Sequence, residues 1–159
     1  KAFKKYAQNK NIIILDAGCG TGLVGKELKK NNYNNIHGLD LSKKLLNLVP
    51  EGYYNKLDIM DLNKSINVND NFYDAILCVG TFTFGHVKPD ALDEFIRITK
   101  NNGLISFTIN EGIYKKYGFD KKIKELSKNG YWNVKEFFKS DYIINKNVNA
   151  WLCVAEVTK

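Results

Sequence analysis

Residues 11–22, NIIILDAGCGTG, restrict this chain more than any other segment. The β-branched run at 11–16 reads as a buried strand. It leads directly into Gly18-x-Gly20-x-Gly22, where glycine lets the backbone turn tightly and a ligand approach closely. Residues 23–31 carry Leu23, Val24 and Leu28 on one side and lysines opposite, with Lys29 and Lys30 placed at the end to suit the helix dipole. The start of that helix presents free N–H groups and a partial positive charge. Glycines alone also describe a tight turn that holds nothing, so the neighbouring residues must decide.

Strand and helix alternate along the rest of the chain. Residues 36–40 read as a second strand, and Ser42 can cap a short helix with Leu45, Leu46 and Val49 that Pro50 stops. A third strand is expected at 53–58, and a fourth at 73–79 is apolar enough to be central. Pro89 suits a first helical turn, and Leu92, Phe95, Ile96 and Thr99 follow at helical spacing up to Gly103. Residues 104–109, LISFTI, form the fifth strand. A weaker helix with Ile123 and Leu126 ends at Gly130, and residues 134–138 and 150–157 pair as antiparallel strands across a polar loop. This order predicts one α/β domain over residues 1–159, built on a mostly parallel, doubly wound sheet covered on both faces.

The ligand is narrowed by spacing and charge. A dinucleotide fingerprint has the form GxGxxG, but its third glycine position holds Leu23, leaving GxGxG. Asp16 lies two residues before the first glycine, where a carboxylate would repel a pyrophosphate at short range. A ligand with a sulfonium and an ammonium has no such conflict. Asp16 can also accept hydrogen bonds from the turn's own backbone. Asp40 follows Gly20 by twenty residues at the end of the second strand, where an acid accepts both ribose hydroxyls of a nucleoside. Its plainer role would be to cap the Ser42 helix. Asp58 could accept an adenine amino group, with Ile59 or Met60 against the ring, and Asp61 competes for that role. Val79-Gly80-Thr81 should pass under the ligand.

Composition removes other classes. No apolar run reaches bilayer length and no signal peptide is visible. Cys19, Cys78 and Cys153 form no CxxC pair and are odd in number, which points to buried free thiols in a reducing compartment, the cytosol. The net charge of +7 is carried by scattered lysines with Arg97 the single arginine, so a nucleic-acid partner is not expected, nor a membrane. Nothing in the pattern specifies an oligomeric state. The chain begins at Lys1 rather than Met, with the first strand close behind, so an N-terminally short fragment is expected.

DAGCGTG after an apolar strand, Asp40, and the later YDAILCVG resemble class I S-adenosylmethionine-dependent methyltransferases from about residue 11 onward. DAGCGTGLVGKEL, GLDLS and VGTFTFGHVKPDALDEFIRITKNNGLI resemble in particular the small methyltransferase-like group named for the Williams-Beuren syndrome critical region. The resemblance implies a Rossmann-like seven-stranded sheet with an antiparallel C-terminal strand, and S-adenosyl-L-methionine as cofactor. It implies that Asp16, Ala17, Gly18, Cys19, Gly20 and Gly22 hold the methionine side, Asp40 and Leu41 the ribose, and Asp58 and Ile59 the adenine, with Val79 on the floor. It also implies one or two N-terminal cap helices, of which only residues 1–10 could form part. The turn Asn101-Asn102-Gly103 departs from the family's Pro-Gly-Gly type.

Methyl transfer relies on position and electrostatics, because the cofactor carries the reactive group. The acceptor, a small molecule or a protein, is not legible. An amine or thiolate acceptor needs no protein base, whereas an alcohol or phenol benefits from one. His86, in the loop after the fourth strand, is the candidate base, with solvent-exposed loop histidine as its plainer reading. Glu111 and Tyr114 are weaker candidates, Phe82 and Phe84 are either pocket wall or core, and His37 reads as structural. No metal site is expected. Two other classes stay open: an NAD-dependent oxidoreductase, and a catalytically silent S-adenosylmethionine-binding module.

Overall fold

β1 (Ile13–Ala17) alternates between two cores, sending Ile14 to one face of the sheet and Leu15 to the other. The computed structural model describes the backbone of residues 1–143 and 148–159. Its elements, in chain order, are α1 (Ala2–Tyr6), β1, α2 (Leu23–Lys30), β2 (Asn35–Asp40), α3 (Lys43–Leu46), β3 (Lys56–Ile59), β4 (Tyr73–Phe82), α4 (Ala91–Ile98), β5 (Thr99–Asn110), α5 (Glu111–Tyr114), α6 (Phe119–Lys128), β6 (Trp132–Ile143) and β7 (Val148–Val157).

These strands form one seven-stranded sheet in the order β3-β2-β1-β4-β5-β7-β6. β1 to β5 pair in parallel, β7 runs antiparallel to β5, and β6 pairs antiparallel with β7. Strand order reverses between β1 and β4, which opens a crevice at the carboxyl ends of the strands. The larger core packs Phe95 of α4 and Phe119 of α6 on Ile76, Phe82 and Phe107. The other face covers Ile14, Ile36 and Leu77 with Phe3 of α1, Leu28 of α2 and Tyr33. No described helix is long and apolar enough to cross a membrane.

Several expected boundaries move. The third strand starts at Lys56, because Tyr54 turns toward Asp16 and Asn55 Oδ1 accepts the Ile36 amide at 2.8 Å. The helix expected to run to Gly103 stops at Ile98, where Thr99 Oγ1 donates to the Phe95 carbonyl at 2.6 Å. Residues 99–103 belong to β5 as a bulge, with Asn102 at φ 61° and Leu104 back in register with Ala75. A Cβ on Gly103 would sit 2.9 Å from the Asp74 carbonyl oxygen, so close backbone approach explains that glycine. The closing strands are longer than 134–138 and 150–157, and the polar loop expected between them lies partly outside the described residues. α5 carried no sequence signal. Arg97 is consumed by Glu94 and Asp70 and by the carbonyls of Ile66 and Val68, which secures the loop leading to β4.

Candidate functional site

The turn between β1 and α2 keeps its shape through three left-handed glycines: Gly18 at φ 76°, Gly20 at 54° and Gly22 at 90°. A Cβ on Gly18 would lie 2.2 Å from Thr81 Oγ1, while a Cβ on Gly20 would meet nothing within 4 Å. Gly18 is therefore a packing glycine and Gly20 faces open space. Thr81, at the end of β4, donates toward the carbonyls of Ala17 and Gly18, both at 3.3 Å.

The loop's amides are largely spent inside the protein. Gly18 and Cys19 both donate to the Leu39 carbonyl, at 2.8 and 3.0 Å, and Gly22 donates to Cys19 at 2.9 Å. The Gly20 amide donates to Asp40 Oδ2 at 2.9 Å, and Asp40 Oδ1 accepts from the Ser42 amide at 2.8 Å. Asp40 thus serves the turn before α3, while Ser42 Oγ caps α3 through the Leu45 amide. Each carboxylate oxygen keeps a second acceptor direction.

Asp16 is fully buried. Its Oδ2 accepts the Tyr54 hydroxyl at 2.6 Å, and its Oδ1 has no hydrogen-bond partner among the described residues. Burial, opposed by the Tyr54 bond, pushes its pKa up to about 7. Burial likewise pushes the Cys19 thiol up to about 12, so it is a neutral packing group. Tyr54 was not singled out from the sequence. A signal existed: Gly25 inside a helix and Gly38 inside a strand mark places where something approaches the backbone, and both face the Tyr54 ring.

A cleft of about 500 Å³ opens over the loop. Gly18, Gly20, Asp40 and Leu41 line it on one side, with Met60, Asp61 and Leu62 beyond, and Gly80, Thr81 and His86 opposite. Asp16, Ala17, Cys19 and Gly22 are brought together behind the loop, not on its open side. Asp58, Ile59 and Val79 do not line the cleft. Asp58 instead pairs with Lys56 at 2.7 Å, and Ile59 is exposed at the sheet edge. Met60 and Asp61, just beyond the end of β3, line the crevice instead.

His86 is exposed and lines both this cleft and an adjoining pocket of about 600 Å³ that reaches Tyr117 and Lys122. Its ring makes no hydrogen bond among the described residues; only its backbone carbonyl does, accepting from Asn63. Glu111 is paired with Lys139, and Tyr114 packs on Phe137 and Trp151, so neither lies in the cleft. Phe82 is core and Phe84 is exposed. His37 contacts the Tyr73 hydroxyl at 3.2 Å and packs on Phe72, a structural arrangement. No cluster of metal-ligating side chains occurs among the described residues.

Residues 15–107 match the family model described as a methyltransferase domain. Methyltransferase-like protein 27 of Homo sapiens is 30% identical over 127 residues, covering 77% of this chain and 51% of that protein. Malonyl-[acyl-carrier protein] O-methyltransferase of Buchnera aphidicola subsp. Baizongia pistaciae is 31% identical over 122 residues, covering 74% of this chain and 47% of that protein. The chain therefore spans about half the length of these curated relatives. The crystal structure of an S-adenosylmethionine-dependent methyltransferase from Mesorhizobium loti superposes with a TM-score of 0.75 at 13% identity, covering 98% of this chain and 95% of that one. At that identity the likeness establishes the fold alone.

Proposed function

Because the chain belongs to the class I S-adenosylmethionine-dependent methyltransferases, we propose that it transfers the cofactor's methyl group to a small-molecule or protein acceptor bound beside the loop after β4. The observation that carries this reading is the state of the glycine loop. Four of its amides donate within the protein, and two carboxylates, Asp16 and Asp40, adjoin it. Loop amides already spent within the protein and a carboxylate directly behind the loop disfavour a pyrophosphate. A ligand with a cationic end and a ribose fits the same surroundings, and the NAD reading is set aside.

S-adenosylmethionine supplies, when bound, a methyl group on a sulfonium that is ready for nucleophilic displacement. The chain's residues bind and orient. Asp40 accepts from the ribose hydroxyls on its free lone pairs, and such charge-assisted bonds contribute about 1.5–3 kcal/mol each. Leu41 and Met60 give apolar walls for the adenine and Asp61 accepts its amino group, since of the expected pairs Ile59 or Met60 and Asp58 or Asp61 the latter of each lines the cleft. Gly20 leaves open space for close approach. Asp16 supplies negative charge behind the methionine end. His86 and the adjoining pocket face the acceptor. Holding acceptor and methyl in line can account for about 7–11 kcal/mol of barrier lowering, so no base is required for an amine or thiolate.

The test is production of S-adenosylhomocysteine from S-adenosylmethionine with dialysable and protein fractions of a cell extract supplied separately. Acceptor-dependent product in either fraction supports the reading and identifies the acceptor class. Product no greater than with heat-inactivated protein in both fractions contradicts turnover.

A further inference from the structure

Tyr54 occupies a place that three glycines leave clear. A Cβ on Gly25 would sit 2.4 Å from the Tyr54 ring, one on Gly38 at 3.1 Å and one on Gly22 at 3.3 Å. The ring is thereby wedged between α2, β2 and the glycine turn. Its hydroxyl accepts the Gly25 amide at 3.1 Å and donates to Asp16 Oδ2 at 2.6 Å. A tyrosine from the segment before β3 thus bridges the first turn of α2 to the carboxylate at the end of β1. The other oxygen of that carboxylate is buried without a partner among the described residues. A buried carboxylate oxygen without a protein partner calls for an explanation, and a ligand on the adjoining loop supplies one.

We propose that Tyr54 is a positioning residue of the cofactor site: its hydroxyl fixes the Asp16 carboxylate behind the glycine loop, where that carboxylate is the counter-charge for the ammonium of the cofactor's amino-acid end. This rests on the cofactor reading above. The titratable groups facing Asp16 are Tyr54, Asp40 from β2, Cys19 from the turn and Cys78 from β4. Asp40 opposes ionisation of Asp16, while the Tyr54 bond and, to a smaller extent, the Gly25 backbone amide favour it. The two thiols are themselves pushed upward and stay neutral. Removing the Tyr54 hydroxyl therefore raises the Asp16 pKa further and leaves less carboxylate at neutral pH. The charge available to an ammonium falls, while a ligand with no ammonium is unaffected.

The experiment is calorimetric titration of the chain and its Tyr54→Phe variant from about pH 6 to about pH 9, with S-adenosylhomocysteine, which carries the ammonium, and 5′-methylthioadenosine, which lacks it. Phe keeps the ring in its glycine cradle and removes only the donor. The variant is expected to weaken S-adenosylhomocysteine about tenfold at neutral pH, as loss of one charge-assisted bond allows, and to move the weakening toward higher pH. Methylthioadenosine should change less than about twofold. Asp16→Asn should reproduce the selective loss and abolish its pH dependence. Equal weakening of both ligands, no weakening of either, or an Asp16→Asn variant with full affinity for S-adenosylhomocysteine overturns the proposal. Failure of the unaltered chain to bind either ligand overturns the cofactor reading itself, and the role of Tyr54 with it.

Discussion

Asp40 Oδ2 accepts the Gly20 amide at 2.9 Å, which joins the end of β2 to the middle of the glycine loop. One side chain thus shapes the loop and faces the cleft. Asp40→Ala should weaken S-adenosylhomocysteine binding at least about tenfold, equivalent to about 1.4 kcal/mol. Asp61→Ala should weaken it by a smaller factor, and Asp58→Ala should leave it unchanged, because Asp58 is paired with Lys56 away from the cleft. Calorimetry on the three variants checks the order, and a larger effect at Asp58 than at Asp61 would return the adenine role to Asp58.

The order of these effects shows where sequence reasoning stopped. Gly18, Gly20 and Gly22 are legible because left-handed backbone after a strand demands glycine, and Asp40 stands out by its offset of twenty residues from Gly20 at the end of β2. Tyr53 and Tyr54 imitate the start of a strand, so the expected third strand begins three residues before the observed one. Tyr54 turns instead toward Asp16, a contact across 38 residues that no local pattern reports. Gly103 imitates a helix stop, but its glycine answers the close approach of the Asp74 carbonyl within β5. The alternation predicts a mostly parallel sheet with an antiparallel closing pair, while the strand order comes from the structure.

Asp16 makes stability depend on pH in a definite direction. Its folded pKa, about 7, is above the ordinary carboxylate value of 3.8. The folded protein therefore holds a proton that the unfolded chain releases, and this contribution is complete below the unfolded value and lost as pH rises through the folded one. In the absence of cofactor, denaturant titrations should show Asp16→Asn gaining stability relative to the unaltered chain between about pH 4 and about pH 7. A constant difference across that range would show that Asp16 is ionised throughout.

Gly25 lies inside α2, where alanine normally stabilises a helix by roughly 1 kcal/mol. Here a Cβ would lie 2.4 Å from Tyr54. Gly25→Ala should instead destabilise the fold by about 1–3 kcal/mol, read as a lower urea midpoint. Combining it with Tyr54→Ala should restore part of the loss, and a stabilising Gly25→Ala would contradict the glycine cradle.

His86 lines the cleft, but no side chain orients its ring among the described residues. A general base contributes about 10²–10⁴ in rate and is held by a third group. His86→Ala should keep cofactor affinity and lower turnover by less than about tenfold. A fall of a hundredfold or more at unchanged affinity, read by steady-state kinetics with titration alongside, would make it the base.

The central claim is that this loop holds a sulfonium nucleoside rather than a dinucleotide. Parallel titrations of the chain with S-adenosylmethionine, S-adenosylhomocysteine and NAD measure it directly. Saturable one-to-one binding of the two adenosyl amino acids, with NAD weaker by at least about a hundredfold or 2.7 kcal/mol, is the predicted result. NAD binding as tightly as S-adenosylmethionine would contradict it.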